Sequence, residues 1–408
     1  RWSLKLNTGV LAGATLWTDI SGFLQEVTIT RQQTRQQGPL TAYQGGTASI
    51  TLNNSDARFS PENLAGPYVS GGVTQIRPMI PVRVRAEWAG VIYPLFSGFA
   101  SAWTPPTADL GVDYDITVVE CADLFKVLAG LNLPATGAQG AGELSGARVQ
   151  RILTAAGWYQ NPGASVIAPG VSAMQATTMG DSPLNLLQLT ADSEIGEIFA
   201  DSSGRFVFRD RRGIMTDARS VNVQGVFGDA DGTVHGSGTE LGYSEVTRPD
   251  DDTQLANDVQ ATIAGGSNVQ QVTDGASVAK YLFPRSYVRD DLLLTSDAEA
   301  LSWAKFVAYV ADSDEARFDA VTVLPHGDPD NRYPQVLARE LGDRIEVWRR
   351  PPGQAAITKE CFVRGISHTI TLMGWTTVWD LQLADRYSQF LVLDDPTMGQ
   401  LDHNALSF

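Results

Sequence analysis

Cysteine is nearly absent from this 408-residue chain, which has only Cys121 and Cys361. Two cysteines cannot build the disulfide framework of a small secreted scaffold, and neither sits in a CxxC pair. Both read as buried free thiols, which suits assembly in a reducing cytoplasm. Histidine is scarce too. His235, His326, His368 and His403 are scattered and no HExxH occurs, so no zinc-ligand pattern exists. No G-x-S-x-G occurs, so a nucleophile elbow is unsupported. Apolar runs are short: none approaches the ~18–20 residues that cross a bilayer. The opening residues lack the basic-then-apolar pattern of a secretory leader. Lysine is rare, 5 against 25 arginines, and the net charge is −16. So acidic a chain lacks the basic face that neutralises phosphates. That argues against stable nucleic-acid binding, but not against a surface past which DNA slides.

What is present is an ordinary globular composition, 43% hydrophobic and 19% charged, and enough length for two or three domains. Residues 1–130 read mostly as β. "WSLKLN", "FLQEVTITR", "TASITL", "PVRVRAEW", "VIYPLFSGFASAW" and "YDITVVEC" alternate with period two, as strands with one buried face do. "ADLFKVLAG" is one short helix. The Gly/Ala-rich "LNLPATGAQGAG" at 131–142 is the best boundary in the chain. Residues 131–314 then change character. Helices are expected at 145–158 (Ser145 as N-cap), 181–194 (Ser182 capping, Pro183 first) and 296–311 (Ser296 and Glu299 at capping-box spacing). "EIFADSSGRFVFRD" reads as a hairpin, and 211–290 as loop-rich with a strand at "NDVQATI". From 315 to 390 the chain returns to β, and 391–408 is a loop-like tail. The expected fold is α+β, mainly β: two β-barrel domains flanking a helix-containing α/β insertion.

The two β regions align with each other. "ASITL" (48–52) matches "AVTVL" (320–324), each followed by an acidic turn in which Arg58-Phe59 stands over Arg332-Tyr333. "IPVRVRAEW" (80–88) matches "GDRIEVWRR" (342–350), Gly98 matches Gly365, and "VVECAD" (118–123) matches "LQLAD" (381–385). A structural duplication is expected from this order.

Chemistry-bearing residues do not converge. "GDSP" at 180–183 superficially suggests an esterase serine loop, but Ser182, Pro183 and an amphipathic run begin a helix. "NNSDARFSPEN" offers Asn53, Asn54, Asp56 and Glu62, and "DADGTVHG" offers Asp229, Asp231 and Gly232. Neither completes a calcium loop, so Asx turns are expected. Trp88, Trp103, Trp348, Trp375 and Trp379 fall in or beside strands, where core packing or subunit contact is the common role. No catalytic, cofactor-binding or metal-ligating residue is assigned, and no cofactor and no enzyme activity are expected.

Three segments in order resemble a known family: "GGTASITLNNSDARFSPEN…GPY" with "IPVRVRAEW…LFSGFASAW", then "LLQLTADSEIGEIFADSSGRFVFRDR", then "LGDRIEVW…CFVRGISHTITLMGWTTVWDLQLAD". Together they are similar to siphophage minor tail proteins of the tail-tip or baseplate hub type, especially those of actinobacterial hosts. The resemblance covers most of the chain and is weakest at 215–290. It implies a homotrimer that closes or continues the tail tube in a pseudo-sixfold ring, with two tube-like barrels per chain. It also implies a virion tail-tip location after assembly in the bacterial host cytoplasm. The implied partners are the distal tail ring, other tail-tip proteins, the tape measure protein and fibre or spike proteins, with genomic DNA only in transit through an acidic or neutral channel. Two alternatives stay open: a hexameric distal tail ring adaptor, which needs only one such barrel, and an envelope-degrading or glycan-binding tail protein.

Overall fold

The computed structural model describes residues 2–7, 17–32, 43–104, 116–158, 163–248, 255–311, 317–385 and 387. Period-two patterning turns directly into sheet. Strand Pro81–Trp88 buries Val82, Val84 and Ala86 on one face and leaves Arg83 and Arg85 on the other. The chain is mainly β, and most of its strands join one 15-stranded sheet.

One strand order occurs twice. In the first unit, antiparallel neighbours run Pro81–Trp88, Val91–Thr104, Ile116–Ala122, Thr47–Asn53, Leu24–Gln32. In the second they run Arg344–Arg349, Ile357–Thr371, Gly374–Leu383, Ala320–Val323, Glu245–Thr247. The irregularities coincide as well. Met79 N donates to Ala100 O (2.7 Å) and Ala100 N to Ile80 O (2.9 Å), just as Gly342 N donates to Val363 O (2.7 Å) and Val363 N to Asp343 O (2.8 Å). A register shift follows at once in both units, between Ala100 and Ala102 and between Val363 and Gly365.

These landmarks correct the sequence alignment. Ala100 is the counterpart of Val363, so Gly365 corresponds to Ala102 and Gly98 to Cys361. The two glycines lie on equivalent strands at different positions. Val119 faces Ile50 as Trp379 faces Val321, so "ASITL" and "AVTVL" were one residue out of step. At both places the next strand comes close, with backbone at Gly98 and a side chain at Gly365. A Cβ on Gly98 would lie 2.4 Å from Ala122 O, and one on Gly365 would lie 2.2 Å from an Asp380 carboxylate oxygen.

The expectation of two closed barrels is not met: among the described residues no barrel closes, and parallel pairs occur too, as between Val223–Gly228 and Arg344–Arg349. The reason lies at a seam. Strand Leu24–Gln32 pairs across the duplication with the far half of Ile357–Thr371, from Gly365 opposite Gln32 to Thr371 opposite Glu26. An edge used to join the units cannot also close one of them. A single hydrophobic core runs under both, from Val27, Ile50 and Phe96 to Val321, Val363 and Trp379.

Four strands within 131–314 also belong to the large sheet: Val223–Gly228, Val234–His235, Gly238–Gly242 and Glu245–Thr247. The rest of that span, with residues from outside it, forms two satellite cores. One gathers helices Leu124–Gly130, Ser145–Ala155 and Pro183–Glu194 against the hairpin Glu197–Ala200/Phe206–Arg209. The other packs helix Asp297–Ala311 on strands that include Asp258–Ile263 and Ser286–Leu292. Ser145 is not a cap. It begins its helix, and its hydroxyl donates to Glu194 at 2.9 Å. The acidic turn at 328–335 is a helix, Pro329–Ala338, which starts on one proline and contains another, Pro334. The tail at 391–408 lies outside the described residues.

The two glycines give a ranking. Gly98→Ala pushes a methyl to 2.4 Å from backbone, whereas the nearest atom to Gly365 is a carboxylate oxygen that can rotate, leaving Asp380 Cβ at 2.9 Å. Gly98→Ala is expected to cost about 1–3 kcal/mol, and more than Gly365→Ala, in urea unfolding; the reverse order would contradict the packing described.

Candidate functional site

The residues singled out by sequence do not assemble into a reactive site. Ser182 Oγ accepts from Asn185 N at 3.2 Å, so the serine of "GDSP" is a helix cap. Asn53 Oδ1 accepts from Ser55 N (3.0 Å), Asn54 Oδ1 accepts from Phe59 N (2.8 Å), and Asp56 is paired with Arg58. In the second acidic loop, Asp229 accepts from Arg350 N at 2.8 Å and pairs with Arg349 and Arg350, while Asp231 pairs with Arg332 at 3.0 Å. Asp56, Asp229 and Asp231, which could have faced a cation, therefore face arginines and backbone N–H groups. Among the described residues no group of three or more His, Cys, Asp or Glu is placed to hold a metal ion.

The histidines stay apart. His235 bonds Glu240 at 2.8 Å and stacks on Trp348, with 4.3 Å between ring centroids. His326 lies in a turn, and His403 lies outside the described residues. Cys121 and Cys361 are buried, and burial pushes both thiols above the ordinary value, so neither supplies a thiolate. The tryptophans are structural. Trp379, Trp375 and Trp103 are buried, and Trp88 stacks on Tyr333 at 4.5 Å, joining the first unit to the helix of the second.

The charged feature that sequence reasoning missed is a buried junction where both sheet units meet the hairpin. Arg364, 3% exposed, donates from Nη1 to Glu197 and to Tyr43 OH (3.1 Å), and from Nε to Gln382 (2.7 Å). Glu197 also faces Arg209 at 3.6 Å. Arg31, on the first unit, pairs with Glu340, on the second; Glu340 also accepts from Ser202 N (3.0 Å) and Leu341 N (2.9 Å). Asp343, 1% exposed, accepts from Arg219 Nε at 2.5 Å. Arg31–Glu340, Arg219–Asp343 and Arg364–Glu197 each join segments far apart in the chain, so only the fold brings them together; the sequence signal was no more than isolated charges.

Electrostatics keep Arg364 charged and Tyr43 neutral. Burial works against the Arg364 charge, but Glu197 and Tyr43 more than offset it and keep its pKa above the ordinary arginine value. Burial, with the Glu197 charge, pushes Tyr43 up to about 12. His368 sits in the seam strand, 2.9 Å from Thr377 Oγ1, and its Nδ1 accepts from Trp375 Nε1 at 3.3 Å. Burial, then the nearby Arg31 charge, lowers its pKa from 6.5 to about 3, so this histidine is neutral. The arrangement holds segments together and has no free nucleophile or base facing a cavity.

No protein-family model matches the chain, and no curated protein matches it by sequence. Solved structures do. A tail protein from Neisseria meningitidis MC58 superposes with a TM-score of 0.59 at 15% identity, covering 93% of this chain and 96% of that one. The 43 kDa tail protein of prophage MuSo2 from Shewanella oneidensis superposes with a TM-score of 0.55 at 14% identity, covering 95% and 97%. The chain has a tail-protein fold. At such identities the likeness is one of architecture, and it runs nearly end to end.

Two outcomes are expected. Glu197→Ala strands Arg364 in a buried site and should cost about 3–5 kcal/mol in denaturant unfolding, while the double change Glu197→Ala/Arg364→Met should recover part of that loss; no recovery would mean that the pair is not coupled. For His368 the folded-state pKa lies below the unfolded one, so its contribution to stability is intact above about 6.5 and is lost as pH falls toward about 3. Wild type should lose stability relative to His368→Gln across that window; a flat difference would show that the histidine does not titrate there.

Proposed function

We propose that this chain is a structural tail-tip, or baseplate, hub of a tailed bacteriophage, acting by assembly and not by catalysis. The observation that carries the reading is the doubled five-strand order, joined edge to edge within one chain, in a fold shared with tail proteins. Tail tubes in the resembling family stack sixfold rings, and a tip narrows to threefold symmetry. A homotrimer whose chains each carry two equivalent sheet units offers six similar positions to a ring above and three to a spike or fibre below. The domain division proposed is a first unit at 1–130, an inserted α/β region from 131 and a second unit completed by 315–390, to which the strands at 223–247 contribute.

In this role the partners are copies of itself, the distal tail ring, other tail-tip proteins, the tape measure protein and a fibre or spike. DNA passes without stable binding, in keeping with the net charge of −16. The location proposed is the virion tail tip. Native mass spectrometry of the purified chain tests the reading. A particle of three times the 43.9 kDa chain is expected. Six chains would favour the ring adaptor, and a monomer at every concentration would contradict the hub.

A further inference from the structure

The two satellite cores meet at a cavity of about 410 Å³. Helix Ser145–Ala155 contributes Ile152 to its wall, helix Pro183–Glu194 contributes Leu186 and Leu189, and the segment between them contributes Met179. Leu293, just past strand Ser286–Leu292, lines it from the other satellite. Gln175 ties the two sides together. Its backbone N–H donates to Leu293 O at 2.8 Å, and its Nε2 donates to Ala264 O at 3.1 Å.

Among the described residues that line this cavity, the only charged ones are Arg148 and Arg151. Both pair with a single carboxylate, Glu143, which is not part of the lining. Two guanidiniums against one carboxylate leave a surplus positive charge at an apolar wall, in a chain whose net charge is −16. The two arginines are not equally satisfied. Arg148, 1% exposed, donates from Nη1 to Thr177 Oγ1 (2.8 Å) and from Nη2 to Gln175 O (2.7 Å) and Gly140 O (3.1 Å). Arg151 donates from Nη2 to Glu143 at 2.7 Å and keeps 22% of its side chain exposed, and its Nη1 has no hydrogen-bond partner. Most other polar side chains of the lining are already engaged: Gln175 with Ala264, Thr177 with Arg148, and Thr190, whose Oγ1 donates to Leu186 O at 2.7 Å. A peptide would therefore bury its amides here without enough partners, which is costly. A ligand with one anionic head and an apolar body meets no such penalty.

We propose that this cavity binds an aliphatic carboxylate, its head on Arg151 beside Arg148 and its chain against Ile152, Met179, Leu186, Leu189 and Leu293. A carboxylate supplies the acceptor that Arg151 Nη1 lacks and the second negative charge that the two guanidiniums lack, and such charge-assisted bonds are the strong ones. The size agrees: a dry cavity of ~150 Å³ takes a benzene ring, so this one has room for a chain of about eight to ten carbons. The ligand touches both satellites at once and holds them together, so its binding is read as added stability. The inference goes beyond the hub reading and does not depend on it.

The test uses the full chain and sodium octanoate, with octanol as the uncharged match and acetyl-Leu-Asp-Leu-amide as the peptide match. Affinity is read by titration calorimetry and by the rise in melting temperature. Octanoate should bind saturably and raise the melting temperature, while octanol and the peptide should bind at least about tenfold more weakly. Arg151→Met keeps the apolar stem and should weaken octanoate roughly ten- to a hundredfold. Arg151→Lys keeps the charge and should recover part of that loss. Glu143→Gln removes the competing carboxylate and should tighten octanoate, a direction that general loosening of the fold does not produce. Melting of each variant without ligand confirms folding, and where Glu143→Gln melts early the two Arg151 variants decide. No saturable octanoate binding below its micelle concentration, octanol or the peptide binding as well as octanoate, or a folded Arg151→Met that binds octanoate like wild type would each overturn the proposal, and the hub reading would stand untouched.

Discussion

Strand Ile357–Thr371 carries more of this architecture than any other element. It is fifteen residues long and has Gly374–Leu383 on one edge and two different strands in succession on the other. A strand can serve two partners on one edge only if the first partner ends where the second begins. Here the change falls at the register shift between Val363 and Gly365, where the ladder bends. The first half belongs wholly to its own unit, and the second half fuses the units into a common sheet over a common core.

The charged junction sits beside that fusion and explains why the seam takes one register. A one-residue slip would turn every buried side chain of Leu24–Gln32 outward. It would also part Arg31 from Glu340, leaving a buried guanidinium without its carboxylate. Arg364 and Glu197 tie the hairpin to the same place. Buried ion pairs add little net stability when well made, but they penalise wrong arrangements heavily. Two near-equivalent units held in one fixed relation gain more from that penalty than from added apolar area.

Much of the plan was legible in sequence, for identifiable reasons. Strands such as Pro81–Trp88 have one buried face, so alternation reveals them. Helix Pro183–Glu194 announces itself by a serine cap and a first-turn proline. Helix Pro329–Ala338 does not, because two prolines and an acidic start mimic a turn. The duplication was visible as an order of elements, but its register was misjudged at Gly98 and Gly365. A register shift leaves no residue signature, so only hydrogen bonds such as those of Ala100 and Val363 reveal the true counterparts. The seam and the junction were invisible because their partners, Arg31 with Glu340 and Tyr43 with Arg364, are distant in sequence.

The central claim is that the seam makes two repeated units into one cooperative body. Native-state amide hydrogen exchange, read residue by residue, tests it most directly. The account expects seam amides in Leu24–Gln32 and Gly365–Thr371 to exchange only through global unfolding, with the same opening free energy as core amides of Val119 and Trp379. Seam amides that open several kcal/mol below that level, while each unit stays protected, would contradict it.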